Sequence, residues 1–96
     1  QKNFDQSALD IRAPILLVSQ FTLCAITRKG RRPDFTDAAD PTEARIFYSH
    51  FINLLEGYGL TVETGKFQEY MQVSSVNDGP VTIILDSNDR LLPRQN

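Results

Sequence analysis

Asp40-Pro41-Thr42-Glu43 is the stretch that decides the fold, because it carries the marks of a helix start. Asp suits the cap, Pro suits the first helical position, and Glu three residues after the cap completes a capping box. Apolar residues then recur at helical spacing in one stripe: Ala44, Phe47, Tyr48, Phe51, Leu54 and Leu55. Gly57 or Gly59 can end the helix. The pattern predicts an amphipathic helix of about four turns, roughly 24 Å long, which packs on a sheet.

Strand-forming runs flank this helix on both sides. Before it, the apolar run Ile15-Leu16-Leu17-Val18 continues through Phe21, Leu23 and Ile26, which predicts a strand buried on both faces. After it, residues 60–64 alternate apolar and polar side chains, and residues 69–76 and 81–85 are further strand candidates. We therefore expect an α+β domain in which one main helix packs on a largely antiparallel sheet.

Composition limits the classes of function. The chain has 96 residues, 41% of them apolar, and this length suits one domain. Its net charge of −2 argues against a uniformly basic nucleic-acid-binding surface. The single cysteine, Cys24, allows no intrachain disulfide and offers no pair of metal ligands. No apolar run approaches the roughly 20 residues of a membrane span, so we expect a cytoplasmic protein with no membrane contact.

A turn separates the last two strand candidates. Residues 77–80 contain Asn, Asp, Gly and Pro, which are the usual turn formers, so an ordinary hairpin turn is one interpretation. The alternative is that Gly79-Pro80 directs bare carbonyl groups outward, because glycine adopts dihedral angles that other residues avoid and proline carries no N–H group. The turn pattern alone does not decide between these interpretations.

Two motifs together carry a resemblance to a known family. Ser19-Gln20-Phe21-Thr22-Leu23 precedes Asn77-Asp78-Gly79-Pro80-Val81-Thr82, with Lys29-Gly30-Arg31-Arg32-Pro33 and Thr64-Gly65-Lys66-Phe67 between them. The pair resembles the signature of the D-aminoacyl-tRNA deacylases, which hydrolyse D-amino acids, and glycine, from mischarged tRNA. The resemblance implies chiral proofreading in translation by a homodimeric hydrolase that uses no metal or organic cofactor.

The resemblance also bears on the fold. It implies the deacylase fold, with a barrel-like core, and family members carry an additional N-terminal portion. We therefore expect residues 1–96 to be a single, N-terminally incomplete deacylase domain.

The first motif is where the resemblance places the chemistry. Ester hydrolysis passes through a tetrahedral oxyanion, so donors aimed at that oxygen and a water held in line help most. In the family the backbone N–H groups of this motif hold the ester carbonyl. That role falls to Phe21 and Thr22, with Ser19 and Gln20 anchoring the surrounding network. A hydroxyl neighbouring the ester on the ribose can help to position water.

Thr82 carries the hydroxyl of the second motif, and two roles for it remain open. It is either a nucleophile or a residue that positions the substrate. No Lys, His or free amine stands beside it in sequence to activate it, so we favour positioning.

The resemblance assigns chiral selection to Gly79-Pro80. In the family this pair is cis and reaches across a dimer interface into the partner's pocket. Two rigid carbonyls bind the substrate's α-ammonium and block the space that an L side chain needs. Glycine has no side chain to reject, so glycyl-tRNA is expected to remain a substrate.

Phe67 and Met71 match family residues that contact the terminal adenosine of tRNA. Ordinary core packing is the alternative for both, since Phe and Met are common interior residues. The chain departs from the family at the next two positions: family members often have Gly-Ala, whereas this chain has Gln68-Glu69. Larger side chains there are expected to narrow the pocket or alter the approach of the tRNA end.

A basic loop contains Arg28, Lys29, Arg31 and Arg32. It is either a solvated charge cluster or a set of tRNA phosphate contacts. If the loop bound phosphates in a chain without activity, the protein would be a non-catalytic RNA- or DNA-binding module, which is the alternative function. The only histidine, His50, has no second metal ligand near it in sequence and is expected to be a surface residue beside the apolar stripe.

Overall fold

The computed structural model describes residues 5–28 and 30–91, and two short parallel strands and one long helix organise them. The elements are α1 (Ala8–Ile11), β1 (Ile15–Leu17), a 3-10 helix (Phe21–Cys24), α2 (Pro41–Gly57), β2 (Val62–Thr64) and a second 3-10 helix (Ser87–Leu91). The fold is a small α+β arrangement with one main helix and an open sheet of two strands among the described residues.

Helix α2 begins where the sequence predicts. The Asp40 carboxylate accepts hydrogen bonds from the amides of Thr42, at 3.0 Å, and Glu43, at 3.1 Å. The predicted capping box is only half formed, because the cap has no return bond from the Asp40 amide to the Glu43 side chain. The helix ends at Gly57, and Gly59 follows with φ +84°, a left-handed conformation that suits glycine.

The sheet differs from the predicted antiparallel arrangement. Strands β1 and β2 run parallel, with Ile15 opposite Val62 and Leu17 opposite Thr64. The physical reason is the connection: helix α2 lies between the two strands in the chain, and such a crossover returns the second strand in the direction of the first. An antiparallel pairing occurs only locally among the described residues, as an isolated bridge between Ile26 and Asp34.

The strand predicted from Ile15 through Ile26 is much shorter than expected. It ends at Leu17, and the chain turns into the first 3-10 helix, whose cap is the Gln20 side chain. Leu16 is 58% exposed, so the prediction of a strand buried on both faces is also wrong. Within the apolar run, Val18 and Phe21 line the cleft described below, whereas Leu23 is 86% exposed.

The strand candidates at residues 69–76 and 81–85 form no regular secondary structure. Their apolar side chains are largely uncovered, with Ile84 88% and Leu85 92% exposed. Strand formation requires a neighbouring strand to satisfy the backbone N–H and C=O groups, and no described segment pairs with these residues. The sequence pattern therefore indicated strand propensity without a partner inside the described chain.

Helix α2 packs against the sheet through a polar contact as well as apolar ones. The Tyr48 hydroxyl donates a hydrogen bond of 2.9 Å to the carbonyl of Leu17 in β1. Leu60, just before β2, is the one apolar residue among those described that is buried, and it keeps 9% of its surface exposed. Phe51 in the apolar stripe is 47% exposed, so the stripe is only partly covered within this chain.

Candidate functional site

A cleft of about 1100 Å³ lies between the first 3-10 helix, the N-terminal half of α2 and residues 67–73. Ser19, Gln20 and Phe21 of the first motif line it, together with Phe67 and Met71. The structure thus brings together five residues that the sequence analysis had selected, although they lie up to 52 positions apart in the chain. Thr22, Gly79, Pro80 and Thr82 are not among the residues that line it.

Gln20 shapes the first motif. Its side-chain oxygen accepts a hydrogen bond of 2.6 Å from the Thr22 hydroxyl and a longer one of 3.4 Å from the Thr22 amide. These bonds cap the 3-10 helix at its first turn. The Phe21 amide, by contrast, has no acceptor among the described residues. Of the two amides predicted to hold a carbonyl, that of Phe21 is therefore the one available to a ligand.

Two aromatic residues that line the cleft contact each other. The rings of Phe21 and Phe35 meet edge to face, with centroids 5.0 Å apart and an interplanar angle of 67°. Sequence reasoning missed Phe35 because it lies in the polar stretch after the basic loop. Its signal was weak: one aromatic residue two positions after Pro33.

Helix α2 supplies two residues that the sequence analysis did not assign to a site. The Arg45 guanidinium lies 4.7 Å from the centroid of the Phe67 ring, and the Tyr48 ring lies 5.7 Å from it at a tilt of 39°. Arg45 and Tyr48 are three residues apart, so both project from the same side of the helix. Phe67 is half-buried between them, so both core packing and cleft lining describe this side chain.

The departure at Gln68 has a specific geometry. Gln68 adopts φ +63°, a left-handed conformation that glycine takes without steric cost. Its side-chain oxygen accepts a long hydrogen bond of 3.4 Å from Arg45. Gln68 and Glu69 both line the cleft. Glutamine thus adopts a backbone conformation that suits glycine, and its side chain contacts Arg45 of helix α2.

Met71 reaches the cleft because Gly65 has no side chain. A Cβ atom built at Gly65 would lie 2.7 Å from the Met71 sulfur and 3.3 Å from its terminal methyl group. Gly65 directly follows β2, and its amide donates a hydrogen bond to the Leu17 carbonyl. The glycine therefore lets Met71 pack against the chain at the end of the sheet.

The second motif forms a braced loop away from this cleft. The Gly79-Pro80 peptide bond is cis, and Gly79 has φ +141°. The Asn77 side chain accepts a hydrogen bond of 2.8 Å from the Val81 amide and donates one of 3.0 Å to the Thr82 hydroxyl. The loop and Thr82 are exposed.

Two backbone hydrogen bonds between Ile26 and Asp34 close the basic loop at its ends. The Ile26 amide donates to the Asp34 carbonyl at 2.7 Å, and the Asp34 amide donates to the Ile26 carbonyl at 2.8 Å. Arg28, Arg31 and Arg32 are exposed on this loop, while Lys29 lies outside the described residues. The three arginines stand apart from the residues that line the cleft.

Clusters of metal-ligating side chains and membrane-spanning helices are both absent from the described residues. Residues 5–28 and 30–91 contain no group of three or more His, Cys, Asp and Glu side chains placed to hold a metal ion. None of their helices has both the length and the apolar character that a membrane crossing requires. His50 is exposed on α2.

Comparison with known proteins gives consistent relatives. A family model described as D-Tyr-tRNA(Tyr) deacylase matches residues 1–86. A D-aminoacyl-tRNA deacylase of Dehalococcoides mccartyi is 56% identical over 92 residues, which cover 96% of this chain and 60% of the relative. The corresponding protein of Petrotoga mobilis is 50% identical over 88 residues, 91% of this chain and 59% of the relative.

A third relative has the same name and a similar match. The D-aminoacyl-tRNA deacylase of Halothermothrix orenii is 57% identical over 82 residues, which cover 85% of this chain and 55% of the relative. The chain spans about six tenths of the length of the curated relatives it matches. Because the family model covers most of the chain, the chain belongs to the D-Tyr-tRNA(Tyr) deacylase family.

Proposed function

We propose that this chain is part of an enzyme that hydrolyses the ester bond of D-aminoacyl-tRNA and glycyl-tRNA, releasing the amino acid and free tRNA. The observation that carries the proposal is the family match over residues 1–86, which contain both motifs. The relatives named D-aminoacyl-tRNA deacylase support it at 50–57% identity. In this role the enzyme acts in the cytoplasm, removing mischarged amino acids before they enter translation.

The proposed chemistry relies on the backbone of the first motif. The Phe21 amide, which has no acceptor among the described residues, donates to the ester carbonyl and to the oxyanion that forms from it. The Thr22 amide is less available for this role, because it already donates a hydrogen bond of 3.4 Å to the Gln20 side chain. The ribose hydroxyl beside the ester helps to orient the attacking water, and no metal or organic cofactor takes part.

Thr82 has a positioning role in this proposal. A threonine nucleophile requires a base to remove its proton, whereas the hydrogen-bond partner of this hydroxyl is the Asn77 side-chain amide, which is not a base. The hydroxyl instead contacts the bound substrate by hydrogen bonding. Thr82→Ala is accordingly expected to reduce activity only moderately.

Gly79 and Pro80 provide the chiral filter of the proposed enzyme. Their carbonyl groups enter the cleft of a second copy of the chain, bind the α-ammonium and occupy the space of an L side chain. The position of this loop supports a contribution across a dimer interface, because Gly79 and Pro80 do not line the cleft of their own chain. The proposed assembly is therefore a homodimer with two composite sites.

The tRNA end has two proposed contact regions. Phe67 and Met71 contact the terminal adenosine on the cleft side, with Arg45 and Tyr48 holding the Phe67 ring in place. Arg28, Arg31 and Arg32, together with Lys29 of the same loop, contact phosphates of the acceptor stem. Such contacts add affinity that depends on salt concentration and add little base selectivity.

The uncovered strand candidates support a larger folded unit. We place residues 1–96 in a single deacylase domain that is longer than this chain, as the relatives are. In that domain residues 69–76 and 81–85 pair with additional strands, which would complete a largely antiparallel, barrel-like core. Covering side chains such as Ile84 and Leu85 would contribute roughly 25 cal/mol for each Å² of apolar surface removed from water.

The proposal is tested by the stereochemistry of hydrolysis. The full-length protein is incubated with D-tyrosyl-tRNA, L-tyrosyl-tRNA and glycyl-tRNA, and the released amino acid is measured. We expect release from the D-tyrosyl and glycyl substrates while L-tyrosyl-tRNA stays intact. Binding of all three without release would contradict the proposal and favour a non-catalytic RNA-binding module.

A further inference from the structure

Asn77 connects the two ends of the loop that carries Gly79 and Pro80. Its side-chain oxygen accepts from the Val81 amide at 2.8 Å, and its side-chain nitrogen donates to the Thr82 hydroxyl at 3.0 Å. We propose that Asn77 is a positioning residue that fixes this loop and makes the Thr82 hydroxyl a hydrogen-bond donor toward the substrate. The inference rests on the proposed function.

The orientation of the Asn77 amide follows from its first partner. A backbone N–H group is only a donor, so the side-chain atom that meets the Val81 amide must be the oxygen. The NH₂ group therefore faces Thr82 and donates to its oxygen. Since that NH₂ group accepts no hydrogen bond, the proton of the Thr82 hydroxyl points away from Asn77 and is available to another acceptor.

The same contact limits what Thr82 can do. An amide NH₂ group cannot remove the Thr82 proton, so Asn77 does not activate a nucleophile. It occupies one lone pair of the hydroxyl oxygen and directs the hydroxyl's own donor bond away from Asn77. In a complex, an oxygen of the aminoacyl ester or of the ribose is the acceptor of matching chemistry.

The contact with Val81 acts on a different part of the loop. Asn77 precedes Gly79 and Pro80, and Val81 follows them, so the bond closes the loop around the two residues. Gly79 has φ +141°, a conformation that the loop must hold for its carbonyl to keep one direction. Losing the Val81 bond is therefore expected to affect selection between D and L substrates, whereas losing the Thr82 bond affects rate.

Asn77→Asp separates these two effects because it preserves shape. The carboxylate still accepts from the Val81 amide, but its second oxygen accepts from the Thr82 hydroxyl, so the direction of that hydrogen bond is reversed. We expect kcat on D-tyrosyl-tRNA to fall about tenfold, the value of one hydrogen bond in the transition state, with KM changed less than about twofold. Asn53→Asp, on the exposed side of α2, is the matched control for the added charge.

Combining substitutions tests whether the effect of Asn77 on kcat depends on the Thr82 hydroxyl. In Thr82→Val the hydroxyl is absent, so adding Asn77→Asp is expected to cause no further loss of kcat. Asn77→Ala removes both bonds and is expected to lower kcat and the ratio of D to L hydrolysis together. Hydrogen exchange at the Val81 amide should rise in Asn77→Ala and stay unchanged in Asn77→Asp.

The outcomes distinguish this inference from the proposed function. Wild-type protein that hydrolyses neither enantiomer would overturn the proposed function, and the Val81 exchange would then still report on the loop. Active wild-type protein with full kcat in Asn77→Asp would overturn only the role of Asn77. An equal loss of kcat from Asn77→Asp in the Thr82→Val background would also overturn it, because the effect would not pass through Thr82.

Discussion

Gly79 has no space for a side chain within its own loop. A Cβ atom would lie 2.9 Å from a Val81 methyl group and 3.2 Å from the Val81 amide nitrogen, at φ +141°. Gly79→Ala must therefore shift the backbone that carries the proposed filter. We expect the ratio of D-tyrosyl-tRNA to L-tyrosyl-tRNA hydrolysis to fall by about tenfold or more, a change of roughly 1.4 kcal/mol in discrimination.

Gly57→Ala is the matched control for this substitution. A Cβ at Gly57 meets no atom within 4 Å, and the residue lies at the end of α2, away from the cleft. Its hydrolysis ratio is expected to equal that of the wild type. Wild-type discrimination in Gly79→Ala would remove the loop from the mechanism.

Gln68 has a strained left-handed backbone at a position where the family resemblance leads us to expect glycine. Its left-handed backbone costs an L-residue roughly 1–2 kcal/mol, of which glycine recovers part after its own entropy loss of about 0.5–1 kcal/mol. Gln68→Gly is therefore expected to raise the free energy of unfolding by up to about 1 kcal/mol, measured by urea denaturation. Gln72→Gly, at an exposed position without positive φ, should lower it instead. Destabilisation by both would show that the Arg45 contact outweighs the strain.

At the scale of elements, the contact between α2 and β1 depends on Tyr48. Its hydroxyl donates to the Leu17 carbonyl at 2.9 Å in a partly buried position. Tyr48→Phe leaves that carbonyl with one partner fewer and is expected to lower the free energy of unfolding by about 1 kcal/mol. Tyr58→Phe removes an exposed hydroxyl and serves as the control. Equal unfolding free energies for the two variants would contradict the role of this hydrogen bond.

The elements differ in how far the sequence could predict them. Helix α2 depends on neighbours in the chain, such as Asp40 at the cap, so its limits were predictable from residues 40–59. Strand length depends on the partner: β1 stops at Leu17 because Gln20 starts a 3-10 helix, and residues 81–85 stay unpaired among the described residues. Parallel pairing was missed because side-chain alternation carries no information on strand direction.

At the scale of the whole molecule, the sequence predicted part of the site. Ser19, Gln20 and Phe21 of the first motif lie around one cleft with Phe67 and Met71, whereas Thr22 does not line it. The roles that the family resemblance assigns to these residues stay predictions. The contribution of Arg45 and Phe35 was not predictable, since it depends on how α2 and the loop after Pro33 fold back on the cleft. Gly79 and Pro80 lie outside that cleft in their own chain, and this separation leads to the dimer proposal.

A mixed dimer tests the proposal that one subunit filters the substrate of the other. Gln20→Ala removes the acceptor that caps the first motif and so damages the cleft, whereas Gly79→Ala damages the filter. If the sites are composite, a dimer with one protomer of each kind contains one site in which both parts are intact and one in which both are damaged. If each chain forms its own site, every site in that dimer carries one damaged part.

The decisive measurement is the hydrolysis of both D-tyrosyl-tRNA and L-tyrosyl-tRNA by this mixed dimer, purified with a different tag on each protomer. We expect about half of the wild-type rate, with L-tyrosyl-tRNA left intact, while both parent variants are much slower or unselective. A mixed dimer that hydrolyses L-tyrosyl-tRNA in the same proportion to D-tyrosyl-tRNA as the Gly79→Ala parent does would contradict the account.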